Sequence, residues 1–259
     1  PKLGDTMSVV EAYQLAADCA RAAGAPYIAG DIGPTGSLLE PMGTLSFDEA
    51  YDIFAEQVRA ALAAGCDIIL VETMADLREA KAALLAAREN STLPVFVTMT
   101  FGEDGRTFLG TTPEIAAEVL SSLGAQAVGL NCSLGPAELA GAARAMASRV
   151  RCPLMAQPNA GLPHMENGET VFDVGPEEFA RAMGPLLDAG ASIVGGCCGT
   201  SPRSIELLSK EIARRGKPTP RAFKPACVLA SAQEAVVLEK GKHAVAVIGE
   251  RINPTGKKK

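Results

Sequence analysis

Tryptophan is absent and histidine nearly so, with only His164 and His243 among 259 residues. A metal centre in this chain must therefore rest on sulfur or carboxylate rather than imidazole. Positive charge is also in short supply. The formal net charge is −6, so the basic face that nucleic-acid binding needs is missing. The one basic run, Lys257-Lys258-Lys259, reads as a solvated end. No apolar run approaches the ~20 residues a membrane helix requires. The opening residues, Pro1-Lys2-Leu3-Gly4-Asp5, lack the basic-then-apolar pattern of an export signal. A cytoplasmic protein without nucleic-acid or membrane partners is the expectation.

What is present is ordinary for a soluble chain: 47% hydrophobic and 21% charged residues. A single α/β barrel commonly runs to ~250 residues, so the length does not demand two domains. The seven cysteines, at 19, 66, 132, 152, 197, 198 and 227, are odd in number and scattered. In a long α/β chain they are expected to be reduced, and either buried or metal-binding.

From residue 26 onward, short apolar runs alternate with amphipathic stretches. The runs cover residues 27–30, 67–72, 94–100, 127–132, 153–157 and 191–196. Nearly continuous apolar runs of this length predict parallel strands buried on both faces. The stretches between them carry helix signals. Ser46-Phe47-Asp48-Glu49 forms a capping box, and Gly65 closes that helix. Pro113, Pro136, Pro176 and Pro202 each stand where a first helical turn tolerates proline. Another helix is expected over residues 8–23, with no strand before it.

Two architectures accommodate six such units. An open doubly wound sheet usually shows a Gly-rich turn after its first strand. Here polar residues gather instead at the C-terminal ends of many strands: Asp31, Glu72, Thr98, Thr100, Asn131, Cys132, Gln157, Asn159, Cys197 and Cys198. That distribution favours a (β/α) TIM barrel whose site is assembled from several strand ends. Such a barrel has eight strands, so six implies an incomplete barrel lacking its N-terminal strands.

Cys132 ends one strand, and Cys197-Cys198 follow the strand two further on. Alternate strand ends lie roughly 10 Å apart, a gap that inward-reaching thiolates about 2.3 Å from one zinc ion can close. Adjacent cysteines in a regular strand would face opposite ways. Gly195, Gly196 and Gly199 allow the backbone to depart from strand geometry there. The competing readings are simple burial for Cys132 and a vicinal disulfide or redox pair for Cys197-Cys198. Cys19, Cys66, Cys152 and Cys227 are expected to be buried apolar residues.

Five strings then appear in order: Gly33-Pro34-Thr35-Gly36, Val71-Glu72-Thr73-Met74, Gly129-Leu130-Asn131-Cys132, Gln157-Pro158-Asn159-Ala160-Gly161 and Gly195-Gly196-Cys197-Cys198-Gly199-Thr200. Together they resemble the homocysteine S-methyltransferase family over residues 25–215. The Gly-Gly-Cys-Cys-Gly element paired with an upstream Asn-Cys is the specific part. The resemblance implies an eight-stranded barrel with zinc on Cys132, Cys197 and Cys198. It implies Asn159 as a displaceable fourth ligand and Glu72 as the holder of the homocysteine ammonium group. The family's Asp-Gly motif on the first strand has no counterpart here. No catalytic side chain beyond the zinc-activated substrate thiolate is expected.

Gly216-Lys217-Pro218-Thr219-Pro220 reads as a linker. Residues 244–249 restart a buried-strand pattern, which on its own could be a last strand packed on the barrel. The string Gly249-Glu250-Arg251-Ile252-Asn253-Pro254-Thr255-Gly256 resembles the opening strand of pterin-binding methyltransferase barrels. The expected organisation is a truncated zinc barrel at 1–215, a linker at 216–243, and the start of a pterin-binding domain at 244–259.

The resemblance thus implies methionine formation from homocysteine, with a methyl group from methylcobalamin on a separate domain and ultimately from methyltetrahydrofolate. Cobalamin- and pterin-binding domains of the same full-length protein are the implied partners. One alternative is a cobalamin-independent enzyme using betaine or S-methylmethionine. Another, of a different class, is a noncatalytic metal or redox barrel using Cys197-Cys198.

Overall fold

A computed structural model of the chain describes residues 7–166, 168–216 and 226–238. Six strands form one parallel sheet: β1 (Ala29–Ile32), β2 (Ile68–Met74), β3 (Val95–Met99), β4 (Ala127–Asn131), β5 (Leu154–Gln157) and, after a hairpin, β8 (Ala191–Val194). They pair in the order β1-β2-β3-β4-β5-β8. The sheet stays open between β1 and β8, so the fold is an incomplete (β/α) barrel.

Helices fill the intervals: α1 (Val9–Ala22) precedes β1, α2 (Phe47–Ala63), α3 (Leu77–Asn90), α4 (Pro113–Ser122) and α5 (Pro136–Ala147) follow successive strands, and α8 (Pro202–Arg215) follows β8. Their starts have local causes. Ser8 with Glu11 and Ser46 with Glu49 make complete capping boxes, while Asp76 and Thr112 accept from the first turns of α3 and α4. Each arrangement satisfies amide groups that a helix leaves without internal partners.

The register assigns each sheet face a different job. Because side chains alternate along a strand, paired residues share a face. One face carries Ile32, Val71, Val97, Val128, Leu130, Leu154, Ala156 and Ala191, all buried. These pack in one core with Phe54, Leu84, Leu120, Leu139 and Phe179 of the helices. Burying each such large side chain contributes about 1.5–3 kcal/mol. The opposite face is that of Leu70, Phe96, Gly129 and Met155, and it ends at the strands' C-termini in Glu72, Thr98, Asn131 and Gln157. Hydrophobic burial thus fixes the sheet from one side and leaves a row of polar groups on the other.

Two features go beyond the alternating pattern. Between β5 and β8 the chain makes an antiparallel hairpin, β6 (Pro163–Glu166) with β7 (Glu169–Phe172), then α6 (Pro176–Ala182) and α7 (Gly184–Asp188). Beyond α8, β9 (Cys227–Ala230) and β10 (Ala235–Leu238) form a second hairpin. It lies against α4, where Thr111 Oγ1 donates to the Ala232 carbonyl at 2.7 Å. The span expected to be a linker therefore contains an antiparallel hairpin. Residues 244–259, expected to open a further domain, lie outside the described residues.

Candidate metal centre

The end of β4 turns abruptly. Cys132 and Ser133 both take left-handed backbone angles, φ 59° and 60°. The Cys132 amide still donates to the Gln157 carbonyl at 3.0 Å, so the β4–β5 ladder runs up to the turn. The Ser133 hydroxyl meets that of Thr100 at the end of β3. Two consecutive left-handed residues are uncommon outside glycine, and these neighbours hold them in place.

The cysteine pair lies past the end of β8. Segment 158–160, which leaves β5, is stitched to it by three bonds. Cys197 N–H donates to the Pro158 carbonyl at 2.9 Å, and Ala160 N–H to the Cys198 carbonyl at 2.9 Å. Cys198 N–H donates to Asn159 Oδ1 at 3.1 Å. Thr200 closes the turn with its hydroxyl 2.7 Å from the Cys197 carbonyl. Gly199 has φ 77°, and a Cβ there would stand 2.4 Å from the Phe172 ring. Both the backbone angle and the close approach require glycine.

This geometry brings three sulfurs together. Cys132 Sγ lies 3.8 Å from Cys198 Sγ, and Cys197 Sγ lies 4.0 Å from Cys198 Sγ. All three fall within 4.8 Å of one another, the one such group of ligating side chains among the described residues. Thiolates about 2.3 Å from a tetrahedral zinc ion stand roughly 3.8 Å apart. A disulfide would need sulfurs about 2.05 Å apart, and all three cysteines are free. The donor set of three soft sulfurs therefore fits a zinc ion in spacing and in chemistry.

The protons of the cluster are unequally held. The Cys197 thiol donates to Cys132, and bonds from Ser133, Cys198 and Asn159 add to this, holding Cys132 well below the usual thiol range against the opposing effect of burial. Cys197 is pushed up, first by that same bond and then by burial and neighbouring negative charge. Cys198 is raised by burial and by Cys132. The cluster thus carries one negative charge most readily, on Cys132, and a divalent cation would let all three sulfurs ionise.

Other residues expected from sequence gather around the cluster. Asn159, 3% exposed, bonds Cys198 through its oxygen and touches the Cys132 sulfur. Glu72 is half-buried, and burial with the charges of Asp31 and Cys132 pushes its pKa up to about 7. Burial raises Asp31 as well. Gln157 presents a buried Oε1 with no hydrogen-bond partner. In the sequence Asn131 is only one of the polar residues at strand ends. It is fully buried, and its amide binds Thr73, Thr98 and the Cys197 sulfur. Among the remaining cysteines, Cys66 is buried and Cys152 half-buried, but Cys19 and Cys227 are exposed, contrary to expectation. Cys19 sits on α1, where Ala17 is the buried residue, and Cys227 opens the hairpin strand β9.

Fold and site together define an incomplete (β/α) barrel with three convergent thiols at the C-terminal ends of its strands. A model of the family described as homocysteine S-methyltransferase matches residues 3–212. The chain belongs to the homocysteine S-methyltransferase family, a family of methyltransferases. It is 35% identical over 244 residues to the methionine synthase of Mycobacterium leprae (strain TN). It is 34% identical over 244 residues to that of Mycobacterium tuberculosis (strain ATCC 25618 / H37Rv). Both alignments take in 90% of this chain and 20% of the relative, so the chain spans about a fifth of their length. Among solved structures, the homocysteine methyltransferase MmuM from Escherichia coli superposes with a TM-score of 0.63 at 22% identity, in apo and metallated forms alike. The match covers 79% of this chain, with 72% of the apo and 70% of the metallated chain, and bears out the barrel-type fold. Among the described residues no helix is long and apolar enough to cross a membrane.

Proposed function

We propose that this chain activates the thiol of homocysteine for methyl transfer, forming methionine, with zinc held by Cys132, Cys197 and Cys198. The observation that carries this reading is the spacing of the three sulfurs, with Cys198 Sγ 3.8 Å from Cys132 Sγ and 4.0 Å from Cys197 Sγ and all three within 4.8 Å of one another, together with family membership. A thiol is a poor nucleophile until it loses its proton. Zinc, when bound, would supply Lewis acidity that keeps an added sulfur ligand ionised at neutral pH.

The chain's own residues supply the rest. Cys132, Cys197 and Cys198 would hold the cation and, as thiolates, would leave the site anionic, which preserves the reactivity of an incoming sulfur. Asn159, whose oxygen accepts from the Cys198 N–H, would be the neutral group that gives way to substrate. Glu72 receives the ammonium group of homocysteine, and a carboxylate with a pKa near 7 becomes a better acceptor once that cation arrives. The substrate sulfur then forms its bond to the methyl carbon as the donor's bond to that carbon breaks. No side-chain base is required.

Methylcobalamin, carried on a separate domain and recharged from methyltetrahydrofolate, is the proposed donor. Supporting this are the methionine synthase relatives, of which the chain matches a fifth, and the pterin-barrel resemblance of residues 249–256. The division at 1–215, 216–243 and 244–259, with cobalamin- and pterin-binding domains as partners in cis, belongs to the same proposal.

Cobalt substitution tests it. Titrating homocysteine into the cobalt-loaded full-length protein should shift the absorption bands toward a four-sulfur spectrum. Bands that do not move would rule out thiol activation and favour a noncatalytic metal barrel.

A further inference from the structure

Strand β2 contains an irregularity beside the site. Val71 pairs with Val97 and Met74 with Met99, so Glu72 and Thr73 together stand opposite the single residue Thr98. An extra residue of this kind re-aims the side chains around it. Thr73 adopts φ 62°, a conformation that a β-branched side chain rarely takes. Something must hold it there.

Asn131 does so with every hydrogen-bonding group its amide possesses. Its Oδ1 accepts from the Thr73 N–H at 2.9 Å and from Thr98 Oγ1 at 2.8 Å. Its Nδ2 donates to Thr73 Oγ1 at 2.7 Å, and its second N–H makes a long bond to Cys197 Sγ at 3.9 Å. The side chain is fully buried, so rotating it would leave polar groups unpaired in the interior, which is costly. Through the backbone the same residue is joined to Cys132. One amide therefore links the irregular segment of β2 to both strand ends that supply sulfur.

We propose that Asn131 is a positioning residue that locks the Glu72–Thr73 bulge at a fixed offset from the three sulfurs. It thereby sets recognition of the substrate's α-ammonium group. This rests on the reading of Glu72 as the group that receives the ammonium. A residue that merely supported the fold would weaken binding of every thiol alike. A residue that positions Glu72 discriminates between thiols with and without the amino group.

The test is calorimetric titration of the zinc-loaded full-length protein with homocysteine and with γ-mercaptobutyrate, the same thiol acid lacking the amino group. Glu72→Gln should abolish the native preference for homocysteine. If that preference survives, the role of Glu72 is wrong and the proposal falls with it. Given its loss, Asn131→Ala should keep one zinc per chain and lower the preference by about tenfold, the size of one charge-assisted hydrogen bond. Affinity for γ-mercaptobutyrate should stay within about twofold on that basis. Adding Thr73→Gly should restore part of the preference, because glycine adopts a positive φ without a lock. An Asn131→Ala protein that binds zinc and keeps the full preference overturns the proposal while leaving Glu72 its role. If Asn131→Ala does not fold or loses zinc, Asn131→Ser takes its place, with the same two outcomes.

Discussion

Cys132 and Cys198 set their sulfurs 3.8 Å apart across 66 positions of sequence. Two backbone turns make this contact: left-handed residues after β4, and a glycine-dependent turn after β8. Cys132→Ala, Cys197→Ala and Cys198→Ala should each reduce zinc from one per chain to substoichiometric levels, because structural and catalytic zinc sites alike need three protein ligands at least. Elemental analysis after dialysis measures this. Retention of one zinc by any of the three variants would remove that cysteine from the site.

Glu72 should make the fold sensitive to pH in a direction opposite to that of a salt-bridged carboxylate. Its pKa rises from 4.5 to about 7 on folding, first through burial and then through Asp31 and Cys132. The folded state therefore prefers the protonated acid. Its ionisation costs nothing below the unfolded pKa, begins to cost stability above it, and costs the full amount once pH passes the folded value. Glu72→Gln should be more stable than the native protein at about pH 8, by on the order of 1 kcal/mol after solvent screening. The difference should vanish near pH 4.5. Urea denaturation of the metal-free proteins at the two pH values decides the matter. An equal difference at both would show that burial of Glu72 is not the cause.

The six strands were legible because nearly continuous apolar runs mark strands largely covered on both faces, as β3 and β4 are. Cys197 and Cys198 were legible because glycines flank them. Family resemblance supplied the proposed roles of Glu72 and Asn159. The bulge at Thr73 left no mark, since a β-branched residue in a strand pattern gives no hint of a positive φ. Its cause lies in Asn131, 58 residues away. The β6–β7 hairpin did carry a signal, Asn167-Gly168 followed by the strand-forming Thr170-Val171-Phe172. It was masked by the stronger helix–strand rhythm around it. The exposure of Cys19 depends on which side of α1 packs against α2.

Glycine substitutions separate the turn after β8 from general packing. Gly199→Ala places a methyl group within 2.4–2.6 Å of Phe172 at a φ of 77°. It should cost roughly 1–3 kcal/mol and weaken zinc binding, since the turn that carries both cysteines must shift. Gly141→Ala is the control. It lies within α5 with nothing near its Cβ position, so it should stabilise by about 0.5–1 kcal/mol and leave zinc affinity unchanged. Chemical denaturation with a competing chelator reads both quantities. Equal behaviour of the two variants would show that the turn tolerates a side chain.

Asn159→Ala should separate holding the metal from admitting the substrate. Asn159 is buried, and its oxygen is the acceptor for the Cys198 N–H at 3.1 Å. Alanine leaves that amide without a partner, which costs about 1–3 kcal/mol, and removes the donor that helps keep Cys132 ionised. Zinc affinity should fall by roughly 10–100-fold, as when partners that orient metal ligands are lost. Homocysteine affinity of the loaded protein should not fall with it. If Asn159 occupies the fourth position at rest, alanine removes a competitor, and the substrate thiol meets a weaker one in water. Chelator competition measures the first effect and calorimetry on the zinc-saturated variant the second. A variant that holds zinc normally yet binds homocysteine poorly would assign Asn159 to the substrate and take it away from the metal.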